Sequence, residues 1–215
     1  MARGRPGVSP VTLDRLRPVA DRALEPFVDA AQRVGASPDA VSVVAAALAG
    51  VAAAAFALVA DRPLLYLLGA VCVFLNGWLD LLDGALARRT GHDSPAGDFL
   101  DHVLDRYADV AVVAGLTVGV GEYALGFAAV TGVLLTSYLG TQIQAVGLER
   151  AYGGALGRAD RLALVGVVGA VSAFARPTAY GLAPVGWLLV LFAVVGHLTA
   201  LQRFRLAWAD LSAGG

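Results

Sequence analysis

Two short segments that carry aspartates decide the architecture of this chain: DLLDGALAR at residues 80–88 and GDFLDHVLD at residues 97–105. Asp80 and Asp83 are three residues apart, and Asp101 and Asp105 are four apart. Both spacings put the two side chains on one face of a helix. Because only a short loop separates the segments, we expect antiparallel neighbouring helices whose four carboxylates converge near a membrane surface.

Four clustered carboxylates at a membrane need a compensating charge. A carboxylate at the centre of a bilayer costs about 2.5–3.5 kcal/mol on insertion scales, and less near the interface. Two divalent cations would remove this cost and the mutual repulsion, and carboxylates suit Mg²⁺ or Mn²⁺. The alternative is four solvated acids in a cytoplasmic loop. The apolar residues between the acids favour helices that enter a membrane.

Gly84 and Arg88, which follow the first aspartate pair on the same helix, could help to bind a ligand. A missing side chain at Gly84 lets a ligand approach the helix backbone. Arg88 lies one turn further along the face of Asp80, where its guanidinium can bind a phosphate with two hydrogen bonds. Arg88 could instead be a charge that orients the end of the helix in the membrane.

The composition outside these segments predicts a membrane protein. The 215 residues are 58% hydrophobic and 15% charged, whereas soluble domains average about 45–50% apolar and 25% charged residues. A net charge of −1 gives no basis for a nucleic-acid partner, and the single cysteine, Cys72, excludes disulfides within one chain. Apolar runs long enough to cross a bilayer, one of them short, predict six transmembrane helices at residues 40–60, 64–87, 99–120, 123–146, 162–175 and 180–201.

The N-terminal segment differs from the apolar runs, because its apolar and charged residues alternate with a helical period. Residues 11–34 are therefore predicted to form an amphipathic helix, lying in the membrane interface or packed on the cytosolic side of the protein. The predicted fold class is an all-α integral membrane protein in which an interfacial helix precedes six transmembrane helices. The organisation is a cytoplasmic segment over residues 1–39, a catalytic membrane domain over 40–205 and a short tail over 206–215.

The distribution of arginine orients the predicted spans. All sixteen basic residues are Arg, and thirteen of them fall in the termini and loops of one side, against two on the other. Positively charged loops remain in the cytoplasm. Both termini and the loop between the aspartate pairs are therefore expected in the cytoplasm, in a multi-pass protein of the cell membrane.

The register of the two segments resembles the signature of the CDP-alcohol phosphatidyltransferase family, Asp-x2-Asp-Gly-x2-Ala-Arg-x8-Gly-x3-Asp-x3-Asp. All eight fixed positions match: Asp80, Asp83, Gly84, Ala87, Arg88, Gly97, Asp101 and Asp105. The resemblance implies that Asp80 and Asp101 touch both of two Mg²⁺ or Mn²⁺ ions, Asp83 the first and Asp105 the second. It also implies that Asp105 is the general base that takes the proton of the acceptor hydroxyl.

The resemblance also implies a binding site for the CDP part of the donor. The stretch that opens the first span is similar to the family's, with Ser42 where Thr is commoner. The implied donor contacts are Asp39, Ala40, Val41, Ser42, Gly84, Arg88 and Ser94.

The acceptor site is less well defined by the sequence. The chain is similar overall to the branch of the family that uses inositol phosphate, but Gly140 and Gln142 stand where that branch carries Lys or Arg. The residues expected to contact an acceptor are Arg150, Arg158, Arg161 and Gln142. The three arginines would suit an anionic acceptor, or they could be loop charges that only set the topology.

The resulting hypothesis is a transferase of phospholipid biosynthesis. It would move a lipid-phosphate group from CDP-diacylglycerol or CDP-archaeol to a small polar alcohol and release CMP, working as a homodimer among membrane lipids. One alternative is a phosphotransferase that moves a CDP-activated head group to a lipid alcohol. An alternative of another class is an ion-conducting transporter whose aspartates form an ion path.

Overall fold

A computed structural model describes residues 17–91, 94–148 and 156–213, with side chains described from Arg22 onward. Within these ranges the chain forms seven α-helices and no strand. The helices are α1 (Arg17–Arg33), α2 (Pro38–Ala57), α3 (Leu65–Thr90), α4 (Pro95–Val120), α5 (Tyr123–Ala145), α6 (Arg158–Ser172) and α7 (Pro184–Ala213). The all-helical prediction is confirmed for the described part of the chain.

Four of the described helices have the length and apolarity needed to cross a membrane, namely α2, α3, α5 and α7. Helix α4 is long enough, but its first four turns carry the charged residues Asp98, Asp101, Asp105, Arg106 and Asp109. Helix α6 has only 15 residues. Large apolar side chains on the outer surface, such as Phe74 at 65% exposure and Phe127 at 71%, are the surface expected against lipid rather than water.

Two serines set the starts of the helices that carry the site. The hydroxyl of Ser37 accepts a hydrogen bond from the amide of Ala40 at 3.2 Å and caps α2. The hydroxyl of Ser94 accepts one from the amide of Gly97 at 3.0 Å and caps α4. A proline follows each serine, at the first helical position where its missing N–H costs nothing. The two N-termini therefore present capped backbone amides on the same side of the bundle.

Small residues allow the central helices to pack closely around Phe56 of α2, which is fully buried. A Cβ atom at Gly69 of α3 would lie 2.4 Å from the Phe56 ring, and one at Gly119 of α4 would lie 2.1 Å from the Phe56 carbonyl oxygen. Gly196 of α7 approaches the backbone of Gly132 in α5 in the same way, with its Cβ position 2.6 Å from the Gly132 carbonyl carbon. Such glycine contacts are the usual means of close helix association in lipid.

Helix α1 packs against the C-terminal half of α3, the part of that helix that carries Asp80 and Asp83. Leu24 and Val28 are buried against Leu82 and Leu86 of α3. The carboxylate of Asp29 pairs with Arg89 at 2.6 Å. The first part of the predicted amphipathic segment, residues 11–16, lies outside the described residues.

Helix boundaries differ from the hydropathy prediction at the start of α6 and at the end of α7. Helix α6 begins at Arg158 rather than near Leu162, because the carboxylate of Asp160 accepts the amide of Gly157 at 2.8 Å and closes the first turn. Arg158 and Arg161 therefore lie on a helix and not in a loop. Helix α7 continues through residues 206–213, where the sequence predicted a short tail.

Candidate active site

Three carboxylates from two helices come together at the cytoplasmic ends predicted for α3 and α4. Asp80 of α3 and Asp101 and Asp105 of α4 each offer one oxygen, and these atoms all lie within 4.8 Å of one another. The three side chains are partly buried. Oxygen ligands at this separation suit a hard divalent cation such as Mg²⁺ or Mn²⁺.

Asp83 lines the same cleft but is held by a different partner. Its side chain is buried, and its Oδ2 atom accepts a hydrogen bond of 2.6 Å from the hydroxyl of Ser42 in α2. The structure thus brings three of the four predicted metal-binding aspartates within reach of a single ion. The fourth lies beside them, tied to the residue that sequence analysis assigned to the donor site.

The cleft contains a buried polar atom that fits a cation or its bound water. Asn76 lies one turn before Asp80 on α3, and its Nδ2 atom donates to the carbonyl oxygen of Ala45 at 2.8 Å. Its Oδ1 atom is buried with no hydrogen-bond partner among the described residues. An amide oxygen added to three carboxylates is a donor set that suits Mg²⁺ or Mn²⁺, so the residues of this cleft fit the metal ions that the sequence predicted.

The predicted donor residues occupy the edge of the cleft at the starts of α2 and α4. The Oδ1 atom of Asp39 lies 3.3 Å from the Cβ position of Gly97, so the absent side chain leaves room for that carboxylate. Ser94 caps the same helix start. On α3, a guanidinium nitrogen of Arg88 lies 3.3 Å from the Cβ position of Gly84, so the arginine covers the glycine.

Two of the predicted donor residues contribute differently. The side chain of Val41 is buried against the cluster formed with α1 and α3, and its amide donates to the Ser37 carbonyl oxygen at 3.2 Å. The amide of Ala40 is used by the Ser37 cap. Both amides are therefore hydrogen-bonded within α2, and the contact of these two residues with a donor stays a prediction.

Arg158 reaches into the aspartate group from α6. One of its terminal nitrogens lies 2.7 Å from Asp80 Oδ1, and the other lies 2.7 Å from Asp105 Oδ1. The third nitrogen, Nε, lies 3.7 Å from Asp109 Oδ1. This one side chain therefore connects α6 to both aspartate helices.

The other predicted acceptor residues are divided in space. Arg161, buried three residues after Arg158 in the first turn of α6, donates to Asp109 Oδ2 at 2.9 Å. Gln142 lies exposed near the end of α5 and is not among the described residues that line the cleft. Arg150 lies outside the described residues.

Sequence analysis missed two charged residues beside this group. Asp109 lies four residues after Asp105, so the helical period that identified Asp101 and Asp105 could have extended to it. Arg106 lies 3.2 Å from Asp109 and 3.6 Å from Asp105, and it also donates to the hydroxyl of Ser137 in α5.

A third missed residue brings a cation to a position where the sequence predicted none. A guanidinium nitrogen of Arg203 in α7 donates to the Thr136 carbonyl oxygen at 2.6 Å. The same nitrogen lies 2.7 Å from the Cβ position of Gly140. The glycine that replaces a basic residue in α5 therefore leaves room for an arginine from α7.

Comparisons with known proteins identify the family. The family model described as CDP-alcohol phosphatidyltransferase matches residues 36–199. The archaetidylinositol phosphate synthase of Methanothermobacter thermautotrophicus is 29% identical over 208 residues, covering 96% of this chain and 99% of the relative. The phosphatidylinositol phosphate synthase of Mycobacteroides abscessus is 34% identical and covers 84% of this chain and 81% of the relative.

Two solved structures share the fold. The phosphatidylinositol phosphate synthase of Mycobacterium tuberculosis in complex with manganese and citrate aligns with a TM-score of 0.73 at 27% identity, covering 86% of this chain and 88% of that one. The same protein with CDP-DAG bound aligns with a TM-score of 0.71 at 26% identity, covering 87% and 94%.

Proposed function

Because the chain belongs to the CDP-alcohol phosphatidyltransferase family, we propose that an inositol phosphate is the alcohol to which it transfers a lipid-phosphate group. The transferase activity itself follows from the family and from relatives that cover most of the chain: a CDP-linked lipid is the donor, CMP is released and divalent metal ions are required. The acceptor is the new element. It is supported by the names of the relatives and by the arginines around Asp105.

Two metal ions, Mg²⁺ or Mn²⁺, would be held by Asp80, Asp83, Asp101 and Asp105. When bound, they would neutralise the pyrophosphate of the donor and stabilise the charge that develops on the attacking and leaving oxygens. The side chains of this chain then have to bind the nucleotide, orient the acceptor and remove one proton.

The donor would bind along the starts of α2 and α4. Ser94, Asp39, Ala40 and Val41 form that edge, and Gly84 places no side chain between the α3 backbone and a phosphate held by Arg88. Arg88 is close enough to Gly84 to bind the same phosphate through its guanidinium fork. The lipid chains would extend into the bilayer along the apolar outer surface.

Asp105 is the proposed general base. Its carboxylate would accept the proton of the acceptor hydroxyl, whose oxygen then attacks the β-phosphorus of the CDP-lipid. A bond forms between that oxygen and the β-phosphorus, the bond to the bridging oxygen breaks, and CMP leaves with the electron pair. A base must lie within about 2.6–3.2 Å of the hydroxyl oxygen, directly or through one water.

The observation that carries the acceptor proposal is the arginine group at Asp105. Arg158 contacts Asp105 directly, Arg106 lies 3.6 Å from it, and Arg161 is held on the same side through Asp109. Arginine is well suited to a phosphate group because its planar fork matches phosphate oxygens. An acceptor whose hydroxyl reaches Asp105 could therefore keep a phosphate among these guanidiniums.

We further propose that α4 and α6 cross the membrane with the four apolar helices, giving six spans. Their packing between apolar neighbours supports this, since Val112 and Leu116 of α4 and Val165 of α6 are buried in the shared core. Helix α1 would lie at the cytoplasmic interface, with both termini and the active site in the cytoplasm of a cell-membrane protein. At the opposite end, Trp187 and Tyr180 form an aromatic contact of 6.3 Å, as is common near a membrane interface.

An acceptor panel tests the proposed function. The purified protein in lipid nanodiscs would be assayed with Mn²⁺ and one of two donors, CDP-diacylglycerol or CDP-archaeol. Each assay would contain one acceptor, which is inositol phosphate, inositol, glycerol phosphate or serine, and CMP release is measured. We expect the highest kcat/KM with inositol phosphate. Turnover of a CDP-linked head group with a lipid alcohol would support the head-group transferase instead, and ion flux without CMP release would support the transporter.

Native mass spectrometry of the same preparation tests the predicted homodimer.

A further inference from the structure

Asp109 is a buried carboxylate that meets three guanidiniums outside the metal-binding group. Its side chain is 4% exposed. Arg161 lies 2.9 Å from its Oδ2 atom, Arg106 lies 3.2 Å from the same atom, and Arg158 lies 3.7 Å from its Oδ1 atom. The three distances place one negative charge among three positive ones in the interior of the helical bundle.

Asp109 links α4 and α6, the two helices that border the proposed acceptor site. It lies four residues after Asp105 on α4, and its arginine partners Arg158 and Arg161 lie three residues apart in the first turn of α6. Arg158 uses its terminal nitrogens on Asp80 and Asp105, so Asp109 is the carboxylate nearest its remaining nitrogen. Asp109 thereby fixes the start of α6 against the helix that carries the general base.

The three arginines around Asp109 carry more positive charge than this one carboxylate can neutralise. Asp109 balances only one of its three arginines, and Asp105 and Asp80 are committed to metal ions when those are bound. A buried guanidinium without a negative partner is costly, so a phosphate oxygen of the acceptor would be bound strongly at this place. Asp109 sets the positions of these guanidiniums, and their positions determine whether the phosphate is bound.

We propose that Asp109 is a positioning residue for the acceptor: it holds the guanidiniums of Arg158 and Arg161 beside Asp105, where they bind the acceptor's phosphate. This inference rests on the proposed function, because it requires a phosphorylated acceptor. Asp109 acts through the arginines and touches neither the acceptor nor the reacting phosphorus.

The competing explanation is that Asp109 only neutralises buried charge and stabilises the bundle. Removing a buried partner is destabilising under both explanations, so a fall in thermal stability does not separate them. The two differ in which kinetic constant changes. A positioning residue changes the KM for a phosphorylated acceptor and leaves donor affinity near its original value, whereas a counter-ion changes every constant together with the melting temperature.

The test uses Asp109→Asn in nanodiscs with Mn²⁺, and Asp98→Asn as the matched control, because Asp98 is an exposed aspartate of the same helix. CDP-donor affinity, kcat and the KM for inositol phosphate are measured separately. We expect the KM of Asp109→Asn to rise about tenfold to a hundredfold, the usual effect of weakening a charged hydrogen bond, with donor affinity changed less than about twofold. An unchanged KM, or a KM that rises only in parallel with equal losses of kcat and donor affinity, overturns the proposal.

A charge-balanced pair keeps the test decisive if Asp109→Asn does not fold. Arg161→Gln and the double variant Asp109→Asn/Arg161→Gln remove one partner and both partners of the 2.9 Å contact. Because Asp109 is proposed to act through Arg158 as well, the decisive background is Arg158→Gln/Arg161→Gln, in which both of its proposed routes are removed. If Asp109 acts through these two arginines, adding Asp109→Asn to that background leaves the acceptor KM nearly unchanged. A KM that rises much further shows independent action and contradicts the proposal.

The wild-type panel separates this inference from the proposed function. Wild-type protein that uses inositol but not inositol phosphate contradicts the proposed function itself. Wild-type protein that prefers the phosphorylated acceptor, combined with an Asp109→Asn variant that retains that preference, contradicts only the role of Asp109.

Discussion

The hydroxyl of Ser42 donates a hydrogen bond of 2.6 Å to Oδ2 of Asp83, and this contact joins the start of α2 to the face of α3 that carries the aspartates. The same hydroxyl oxygen lies 3.2 Å from the Pro38 carbonyl oxygen within its own helix. Ser42, which is implied in donor binding, and Asp83, a proposed metal ligand, are therefore directly hydrogen-bonded to each other. A change at the donor edge is transmitted to an aspartate of the metal site.

Ser42→Ala is expected to impair donor binding and stability together. Asp83 is buried, and loss of its hydroxyl partner leaves a carboxylate oxygen unsatisfied at a cost of about 1–3 kcal/mol. We expect the KM for the CDP-lipid to rise and the melting temperature to fall. Ser42→Thr keeps the hydroxyl and serves as the control. A Ser42→Ala protein with unchanged donor KM would show that the contact is dispensable.

Neutralising the proposed metal ligands should abolish activity without unfolding the protein. Asp80→Asn, Asp83→Asn, Asp101→Asn and Asp105→Asn each keep the shape of the side chain and remove its charge. The expected result is loss of CMP release with normal membrane insertion and size-exclusion behaviour, and Asp98→Asn should stay active. Near-normal turnover by purified Asp101→Asn protein would remove the two-metal arrangement.

Arg158→Gln should raise the affinity for divalent cations. The wild-type guanidinium lies 2.7 Å from both Asp80 and Asp105, so it opposes the approach of another cation to the same oxygens. We expect Mn²⁺ to bind about threefold to tenfold more tightly, as judged by electron paramagnetic resonance titration without substrate, because charge interactions at partly buried sites amount to about a kcal/mol or more. Arg161→Gln, which lacks those two contacts, is the control. Weaker Mn²⁺ binding by Arg158→Gln would show that Arg158 organises the ligands instead.

The topology prediction follows from the arginine distribution and can be tested by labelling. In a Cys72→Ser background, a cysteine at Tyr180, which is 97% exposed between α6 and α7, should react with a membrane-impermeant maleimide added to intact cells. A cysteine at Asp98, at the proposed cytoplasmic end, should react only after the membrane is opened. The reverse pattern would put the nucleotide site outside the cell and contradict the proposed orientation.

The sequence predicted the centre of the site better than its borders, for physical reasons. Helix periodicity defines which aspartates share a face, so a local rule suffices there. The Ser-Pro pairs mark where α2 and α4 begin, at Pro38 and Pro95, whereas hydropathy alone started these spans at residues 40 and 99. The start of α6 was wrong because hydropathy ignores the Asp160 cap, which carries Arg158 into a helical turn. Arg203 reaches Gly140 only because α5 and α7 pack closely through glycines, and this is information that no local pattern contains.

Asp105 is expected to be a base as well as a ligand, and comparison with Asp80 separates the two roles. Asp105 lies one turn beyond Asp101 on α4 and next to the arginines Arg106 and Arg158, on the side from which an acceptor would approach. Asp105→Asn should keep much of the donor affinity, because Asp80, Asp83, Gly84 and Arg88 are unchanged, while kcat falls by at least the roughly 10²–10⁴-fold that general base catalysis supplies. Asp80→Asn should weaken metal-dependent donor binding and turnover together. Donor affinity and kcat are therefore measured side by side for both variants with Mn²⁺ present. If Asp105→Asn loses donor binding as severely as Asp80→Asn, Asp105 is chiefly a metal ligand, and another group must take the proton of the acceptor.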